Sequence, residues 1–279
     1  MSKTAVIFGG QGAQFPGMGK DLYEQSMAAR AVFDMGESQR AGIKELCFSG
    51  SKEELAKTVN TQPTLFLVGL AAYAKFLEDG GRADYIAGFS LGEIPALAAS
   101  GMLGYEEAFR LVMARAKYMD ECSTGGTMAA VLGLQADKIE SVLAAYKDVI
   151  CANYNAPLQT VISGKDNFDE AVDALKEAGA RVMRLAVSGA FHSHYMTPAA
   201  DNMAKYLANV KLGAPIIPIY SNVTGKLYNE PYAQSVSSAI NNPVRWTDIV
   251  RDMSANGVTD FVECGAGNVL TGLVGKILG

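Results

Sequence analysis

Apolar residues along the chain change period several times, and each change marks an element. Residues 4–8, Thr-Ala-Val-Ile-Phe, form a short unbroken apolar run that ends in glycines, which predicts a buried first strand. Helical spacing follows over 21–35 and again over 52–57. Asn60-Thr61-Gln62-Pro63 opens a longer helix reaching residue 77, with proline near its first turn. That helix is apolar almost all round, so it belongs inside a domain. A second strand over 84–87 leads into a helix that should stop at Gly101, a natural residue just past a helix end. Over Tyr105–Glu121 the spacing of three and four puts Ala108, Val112, Arg115 and Met119 on one stripe, with Arg110, Lys117 and Glu121 opposite.

Between about 124 and 187 the elements become short and regular. Strands over 127–132, 149–154, 160–163 and 182–187 enclose helices over 136–145 and 168–178, the β-α-β-β-α-β order of a ferredoxin-like unit. The chain then returns to its first style, with a strand over 216–222, a helix over 246–255, a strand over 260–263, Gly265-Ala266-Gly267 and a closing helix. These elements predict an α/β fold. A large α/β-hydrolase-like domain with a parallel sheet takes residues 1–123 and 197–279, and a ferredoxin-like subdomain over 124–196 is inserted into it. An insertion of this size leaves a cleft between two bodies, a common place for a ligand.

Composition narrows the function classes. With 279 residues, 49% of them apolar and 19% charged, the chain has ample core for a globular enzyme and needs no staples. Its four cysteines form no C-x-x-C pair and it has only two histidines, so a disulfide framework, a zinc cluster and a resident metal are not expected. Nothing resembles a signal peptide or a membrane span, and the net charge of −5 gives no support to nucleic-acid binding. The expected location is the cytoplasm.

Gly88-Phe89-Ser90-Leu91-Gly92 sits between the second strand and its helix, the context of a nucleophile elbow. Glycines on both sides let the turn close tightly, and the serine hydroxyl then stands at a helix N-terminus, where backbone N–H groups favour an oxyanion. The pentapeptide alone fits an ordinary strand-to-helix turn equally well. Pro95 falls just past the free N–H positions counted from Ser90, so an irregular first turn is expected. The loop from Gly9 to Gly17 matches neither phosphate-cradling pattern, because Phe15 stands where the dinucleotide motif needs a small residue and Met18 where the Walker motif needs lysine. Arg115 is a cation on an apolar stripe and must be paired, either with a carboxylate such as Glu93 or with the carboxylate of a substrate. His192 and His194 are the only histidines available to activate a serine, and their spacing leaves open which one does so. A serine hydrolase or thioesterase, a carrier-docking module without catalysis, and a cysteine nucleophile remain as alternatives.

Taken in order, Gly10-Gln11-Gly12-Ala13-Gln14, Thr61-Gln62-Pro63, Gly88-Phe89-Ser90-Leu91-Gly92-Glu93, Arg115-Ala116-Lys117-Tyr118-Met119, Ala152-Asn153-Tyr154-Asn155, Phe191-His192-Ser193, Ser221-Asn222-Val223, Asn242-Pro243-Val244 and Gly265-Ala266-Gly267 resemble the malonyl-CoA:acyl carrier protein transacylase family over essentially the whole chain. The resemblance implies Ser90 as the acylated nucleophile, His192 as its base, and an oxyanion hole from the backbone N–H groups of Gln11 and Leu91. It implies that Arg115 binds the malonyl carboxylate, that Gln62 and Asn155 lie at pocket positions, and that the Arg245 carbonyl orients the histidine. It further implies malonyl-CoA and acyl carrier protein as partners, no cofactor, a monomer, and a place in fatty acid synthesis, with a trans-acting acyltransferase of polyketide synthesis as the alternative. Lys165, Arg184 and Arg251 are candidates for docking an acidic carrier. Phe89, where many members have histidine, and Ile94-Pro95 depart from the family pattern.

Overall fold

The computed structural model describes residues 2–123 and 125–279. The expected domain boundaries at residues 1 and 124 therefore fall outside the described residues. In chain order the strands are β1 (Lys3–Phe8), β2 (Tyr85–Gly88), β3 (Thr127–Leu132), β4 (Ile150–Ala156), β5 (Gln159–Gly164), β6 (Arg181–Arg184) and β7 (Val258–Cys264). They form two sheets, a parallel one in the order β2-β1-β7 and an antiparallel one in the order β4-β5-β3-β6.

The unbroken apolar run of β1 explains its central place. Ala5, Val6, Ile7 and Phe8 are all fully buried, and successive residues belong to different cores, Val6 and Phe8 to one and Ala5 and Ile7 to the other. The helix Thr58–Glu78 lies in the first core with fourteen buried residues, as its all-round apolar surface requires. The expected strand over 216–222 is reduced to a bridge in which Ile86 N–H donates to Pro218 O at 2.9 Å and Tyr220 N–H to Ile86 O at 3.0 Å. Pro218 has no N–H to extend the ladder.

The antiparallel sheet follows the expected order of elements to within a few residues at each end. Its helices Ala136–Leu143 and Phe168–Glu177 cover one face and enclose a core of their own around Val131, Ile139, Ile162 and Leu175. The segment around Val244 joins the two bodies: Val244 N–H donates to Ala152 O, and Tyr154 N–H to Val244 O, each at 2.9 Å. Asn242-Pro243-Val244 is thus pinned along β4.

Elsewhere the helical pattern is more broken than the spacing suggests. The helix expected over 21–35 is two, Lys20–Gln25 and Met27–Gln39, separated by an extended Ser26 whose side chain accepts Ala29 N–H at 3.0 Å. Helices Ile43–Ser49, Thr197–Leu207 and Tyr232–Ser238 are further elements, beyond those expected from the pattern. Pro63 also lies deeper than expected, because the helix begins at Thr58 rather than Asn60. The carbonyl it leaves without a helical donor is that of Val59, and Arg40 Nη1 donates to it at 2.8 Å while Nη2 bonds Asn60 Oδ1. Arg40→Ala should orphan that carbonyl and lower stability by about 1–3 kcal/mol in urea denaturation; an unchanged midpoint would show that solvent satisfies it.

Candidate active site

Ser90 leaves β2 in the left-handed region with φ 53°, and His192 adopts φ 57°. Such conformations cost a non-glycine residue about 1–3 kcal/mol each and persist only when the surroundings enforce them. At the elbow the tightness of the turn is steric. A Cβ on Gly88 would lie 1.9 Å from the backbone of Gly92, and a Cβ on Gly92 would lie 2.1 Å from the Phe8 carbonyl oxygen. Strand β1, strand β2 and the turn after Ser90 are therefore packed backbone against backbone. Ser90–Gly92 forms a single 3₁₀ turn, and the α-helix proper runs from Glu93 to Ala99. The expected irregular turn is present, and restarting the helix at Glu93 places Pro95 in its first turn, where no N–H is needed.

His192 is the histidine that reaches the serine, its Nε2 lying 2.7 Å from Ser90 Oγ. Its Nδ1 faces the carbonyl oxygens of Ala239 at 3.0 Å and Asn242 at 3.1 Å. Carbonyls only accept, so Nδ1 carries the proton and Nε2 presents its lone pair to the hydroxyl. Arg245 does not fill the orienting place given to it by family resemblance. It precedes helix Trp246–Ala255, and its carbonyl is taken up by Ile249 N–H at 3.1 Å. Burial, and next the Arg115 charge, push the His192 pKa down from 6.5 to about 4, so the imidazole is a neutral base at pH 7. His194 lies at the surface, its ring tilted against that of Tyr195.

Arg115 projects from helix Tyr105–Glu121 and is only 3% exposed, on the stripe that its spacing predicts. Nη1 donates to Gln62 Oε1 at 2.8 Å and Nη2 points to Ser90 Oγ at 3.4 Å. No carboxylate lies within ion-pair reach of it among the described residues. Burial lowers its pKa to about 10, which still leaves it charged at pH 7. Glu93, the protein carboxylate considered for it, turns elsewhere: one oxygen accepts Asn222 N–H at 2.9 Å and the Tyr228 hydroxyl at 2.8 Å. Burial raises the Glu93 pKa from 4.5 to about 7.

The remaining residues divide clearly. Gln62 is buried beside Arg115, its amide nitrogen 3.4 Å from Met119 Sδ. Asn155 is buried on β4 with its Oδ1 lacking a partner. The glycine loop abuts the elbow, since a Cβ on Gly10 would lie 2.8 Å from the Phe89 carbonyl oxygen, and this brings Gln11 to the same region as Leu91. Phe89 packs edge-on against Trp246, with ring centroids 5.7 Å apart. Cys47, Cys151 and Cys264 are buried thiols pushed up to about 12 by desolvation, unsuited to act as nucleophiles. Arg184 is occupied by Asp169, and Arg251 lines a separate cavity of about 360 Å³ with Asp137, Tyr154, Arg245 and Asp248. Asn222, Tyr228, Ala239 and Asn242 had no role assigned from sequence. Asn222 and Asn242 lie in the Ser-Asn-Val and Asn-Pro-Val stretches, and Tyr228 and Ala239 carry no such signal.

A strained serine at a strand-to-helix turn, a neutral histidine behind it and a buried guanidinium beside it are the parts of an acyl-transfer site. The chain belongs to the acyl transferase domain family, whose model matches residues 6–276. It is 40% identical over 288 residues to the malonyl CoA-acyl carrier protein transacylase of Bacillus subtilis, with 99% of this chain and 91% of that protein covered. Among solved structures, the malonyl CoA-acyl carrier protein transacylase of Clostridium perfringens superposes with a TM-score of 0.95 at 32% identity, covering 99% of this chain and 90% of that one. A malonyl-transacylase solved in complex with a type II polyketide synthase acyl carrier protein also matches with a TM-score of 0.95, at 35% identity, over 99% of this chain and 93% of that one.

Two expectations follow from the geometry. Gly92→Ala should abolish the elbow or unfold the chain, because the new methyl meets backbone rather than a movable side chain; a variant that melts normally and still reacts at Ser90 would show that β1 can retreat. Labelling of Ser90 by a sulfonyl fluoride should hold its full rate as pH falls below 6 and decline through about 4, where His192 takes up a proton and ceases to be a base. A midpoint near 6.5 would mean that water hydrates the imidazole. The same group makes acid destabilising, since the unfolded chain binds this proton first and stability falls as pH drops from 6.5 towards 4.

Proposed function

We propose that the chain moves a malonyl group from malonyl-CoA to the phosphopantetheine thiol of an acyl carrier protein through a malonyl-serine intermediate. The observation that carries this reading is the Arg115 guanidinium, charged, buried and 3.4 Å from the Ser90 hydroxyl, with no carboxylate within ion-pair distance among the described residues and Glu93 acting on it only from further off. A buried cation without an anion is costly, and a carboxylate on the acyl group would supply the anion as it binds. A hydrolase of neutral esters has no use for that charge. The family membership and the transacylase relatives support the same reading.

His192 Nε2 takes the Ser90 proton as Oγ attacks the thioester carbonyl. The oxyanion lies against the N–H groups of Gln11 and Leu91. Collapse breaks the C–S bond, and His192 returns its proton to the CoA sulfur. The carrier thiol then repeats the sequence in reverse, giving its proton to His192, attacking the malonyl ester and releasing Ser90. Gln62 holds the guanidinium in place, and Asn155 is the further pocket position that the family resemblance suggests. No step calls on a cofactor.

The architecture we read into this function is a hydrolase-like body carrying Ser90 and Arg115, and a ferredoxin-like subdomain that ends in the His192 segment. The β4-β5-β3-β6 order, antiparallel throughout, supports the second part. One chain supplies both reacting residues, which fits action as a monomer. No helix among the described residues is long and apolar enough to cross a membrane, which fits a cytoplasmic place beside fatty acid synthesis. A carrier of polyketide synthesis is the second reading, favoured by the partner of one of the structural relatives.

Incubation with malonyl-CoA alone should add a malonyl group at Ser90, seen by peptide mass spectrometry and discharged by a pantetheine thiol. Free malonate without an adduct would instead mark a hydrolase. Arg115→Ala should reduce malonyl transfer by about 10²-fold or more while sparing acetyl transfer; equal losses would make the arginine structural.

A further inference from the structure

Asn222 has its polar groups committed around the elbow. It is 1% exposed. Its Oδ1 accepts the Ser90 backbone N–H at 2.8 Å, and its Nδ2 donates to the Gly88 carbonyl at 2.6 Å. A donor on one side and an acceptor on the other fix the amide in a single orientation. The side chain therefore bridges the end of β2 to the residue held at φ 53°. Its backbone is fixed too: N–H donates to Glu93 Oε1, the carboxylate at the start of the helix after the elbow, and the carbonyl accepts Arg245 N–H at 2.9 Å. Three residues before Arg245 stands Asn242, whose carbonyl accepts from His192 Nδ1. The Tyr228 hydroxyl, on the same carboxylate oxygen, completes the support.

We propose that Asn222 is the positioning residue of this site, one that holds the Ser90 backbone in its left-handed conformation through its amide and ties that conformation, through its backbone and the Asn242–Arg245 segment, to the orientation of His192. The inference rests on Ser90 acting as the nucleophile, as proposed above, but not on the identity of the acyl group. Steric exclusion at Gly88 and Gly92 makes the turn tight, yet it does not by itself choose the conformation at Ser90. The amide does so by giving the Ser90 N–H and the Gly88 carbonyl buried partners that they would lose if the peptide rotated. A displacement of about 1 Å between reacting groups costs on the order of 10²-fold in rate, so the loss should appear in chemistry rather than in binding.

The test uses a fluorophosphonate, which reports Ser90 reactivity without any malonyl recognition. Its first-order labelling step and its binding constant are measured on the full chain for the wild type, Asn222→Ala and Asn222→Asp, each beside a thermal melt. The expected result is a labelling step slowed about 10²-fold in Asn222→Ala with an unchanged binding constant. Asn222→Asp, of equal size, keeps the acceptor for Ser90 N–H but not the donor to Gly88, and should fall between the two. A labelling step within twofold of wild type in a folded Asn222→Ala, or in Asn222→Asp should the alanine variant not fold, overturns the proposal. So does a loss confined to the binding constant. Failure of the wild type to label at Ser90 overturns the nucleophile assignment itself, a different result from labelling that ignores Asn222.

Discussion

The left-handed backbone of Ser90 is the constraint on which the rest of this site depends. It sits where three pieces of backbone, the end of β1, the end of β2 and the turn that follows, pack too closely for any side chain at Gly88 or Gly92. Close packing of that kind needs a rigid floor, and β1 supplies it as the fully buried centre of the parallel sheet. The hydroxyl is thereby raised out of the fold, while its backbone stays within reach of Asn222. His192, also left-handed, is brought to it from the other side of the chain by carbonyls of a segment pinned along β4. Strain is thus held at both reacting residues by elements that do not themselves take part in the chemistry.

Much of this was legible in the sequence, and what was not has a physical reason. Strands β1 and β2 were readable because burial on both faces leaves an apolar run, and the antiparallel unit because its short elements are separated by turn residues. Ser90 was readable from its flanking glycines, and Arg115 from a charge standing on an apolar stripe. The strand expected over 216–222 was overcalled because apolar content says nothing about whether Pro218 can join a ladder. The break at Ser26 was missed because a serine that caps a helix differs from one riding inside it only in its backbone, and apolar spacing continues through both. Arg245 was placed at the histidine by resemblance of a stretch of sequence. The carbonyls there belong instead to Ala239 and Asn242, since a carbonyl's direction is set by the turn it ends rather than by its side chain. Asn222 was invisible for a related reason: its importance lies in four bonds to distant residues.

Two buried groups that ionise, His192 and Arg115, stand at one hydroxyl, with a third, Glu93, behind the elbow, and their environments separate them. Desolvation acts on each towards its neutral form, lowering His192 and Arg115 and raising Glu93. The starting values differ so widely that the outcome at pH 7 is a neutral imidazole and a charged guanidinium. The guanidinium also lowers the histidine further by repelling the imidazolium. A base whose charged form is disfavoured holds its proton briefly, which suits the proposed exchange, in which the proton passes to the CoA sulfur in one half-reaction and to Ser90 Oγ in the other.

That balance explains why carbonyls rather than a carboxylate orient His192. A carboxylate at Nδ1 would put an anion in the buried space that contains Arg115, and would compete with an acyl carboxylate for the guanidinium. It would also raise the histidine pKa and favour the imidazolium. The carbonyls of Ala239 and Asn242 select the same tautomer and hold the ring without adding a charge. Glu93, the acid in the elbow motif, follows the same logic: its hydrogen bonds go to Asn222 and Tyr228, and it leaves Arg115 without an ion-pair partner. Arg115 is then left, among the described residues, with no carboxylate at ion-pair distance, a charge open to an anion brought from outside.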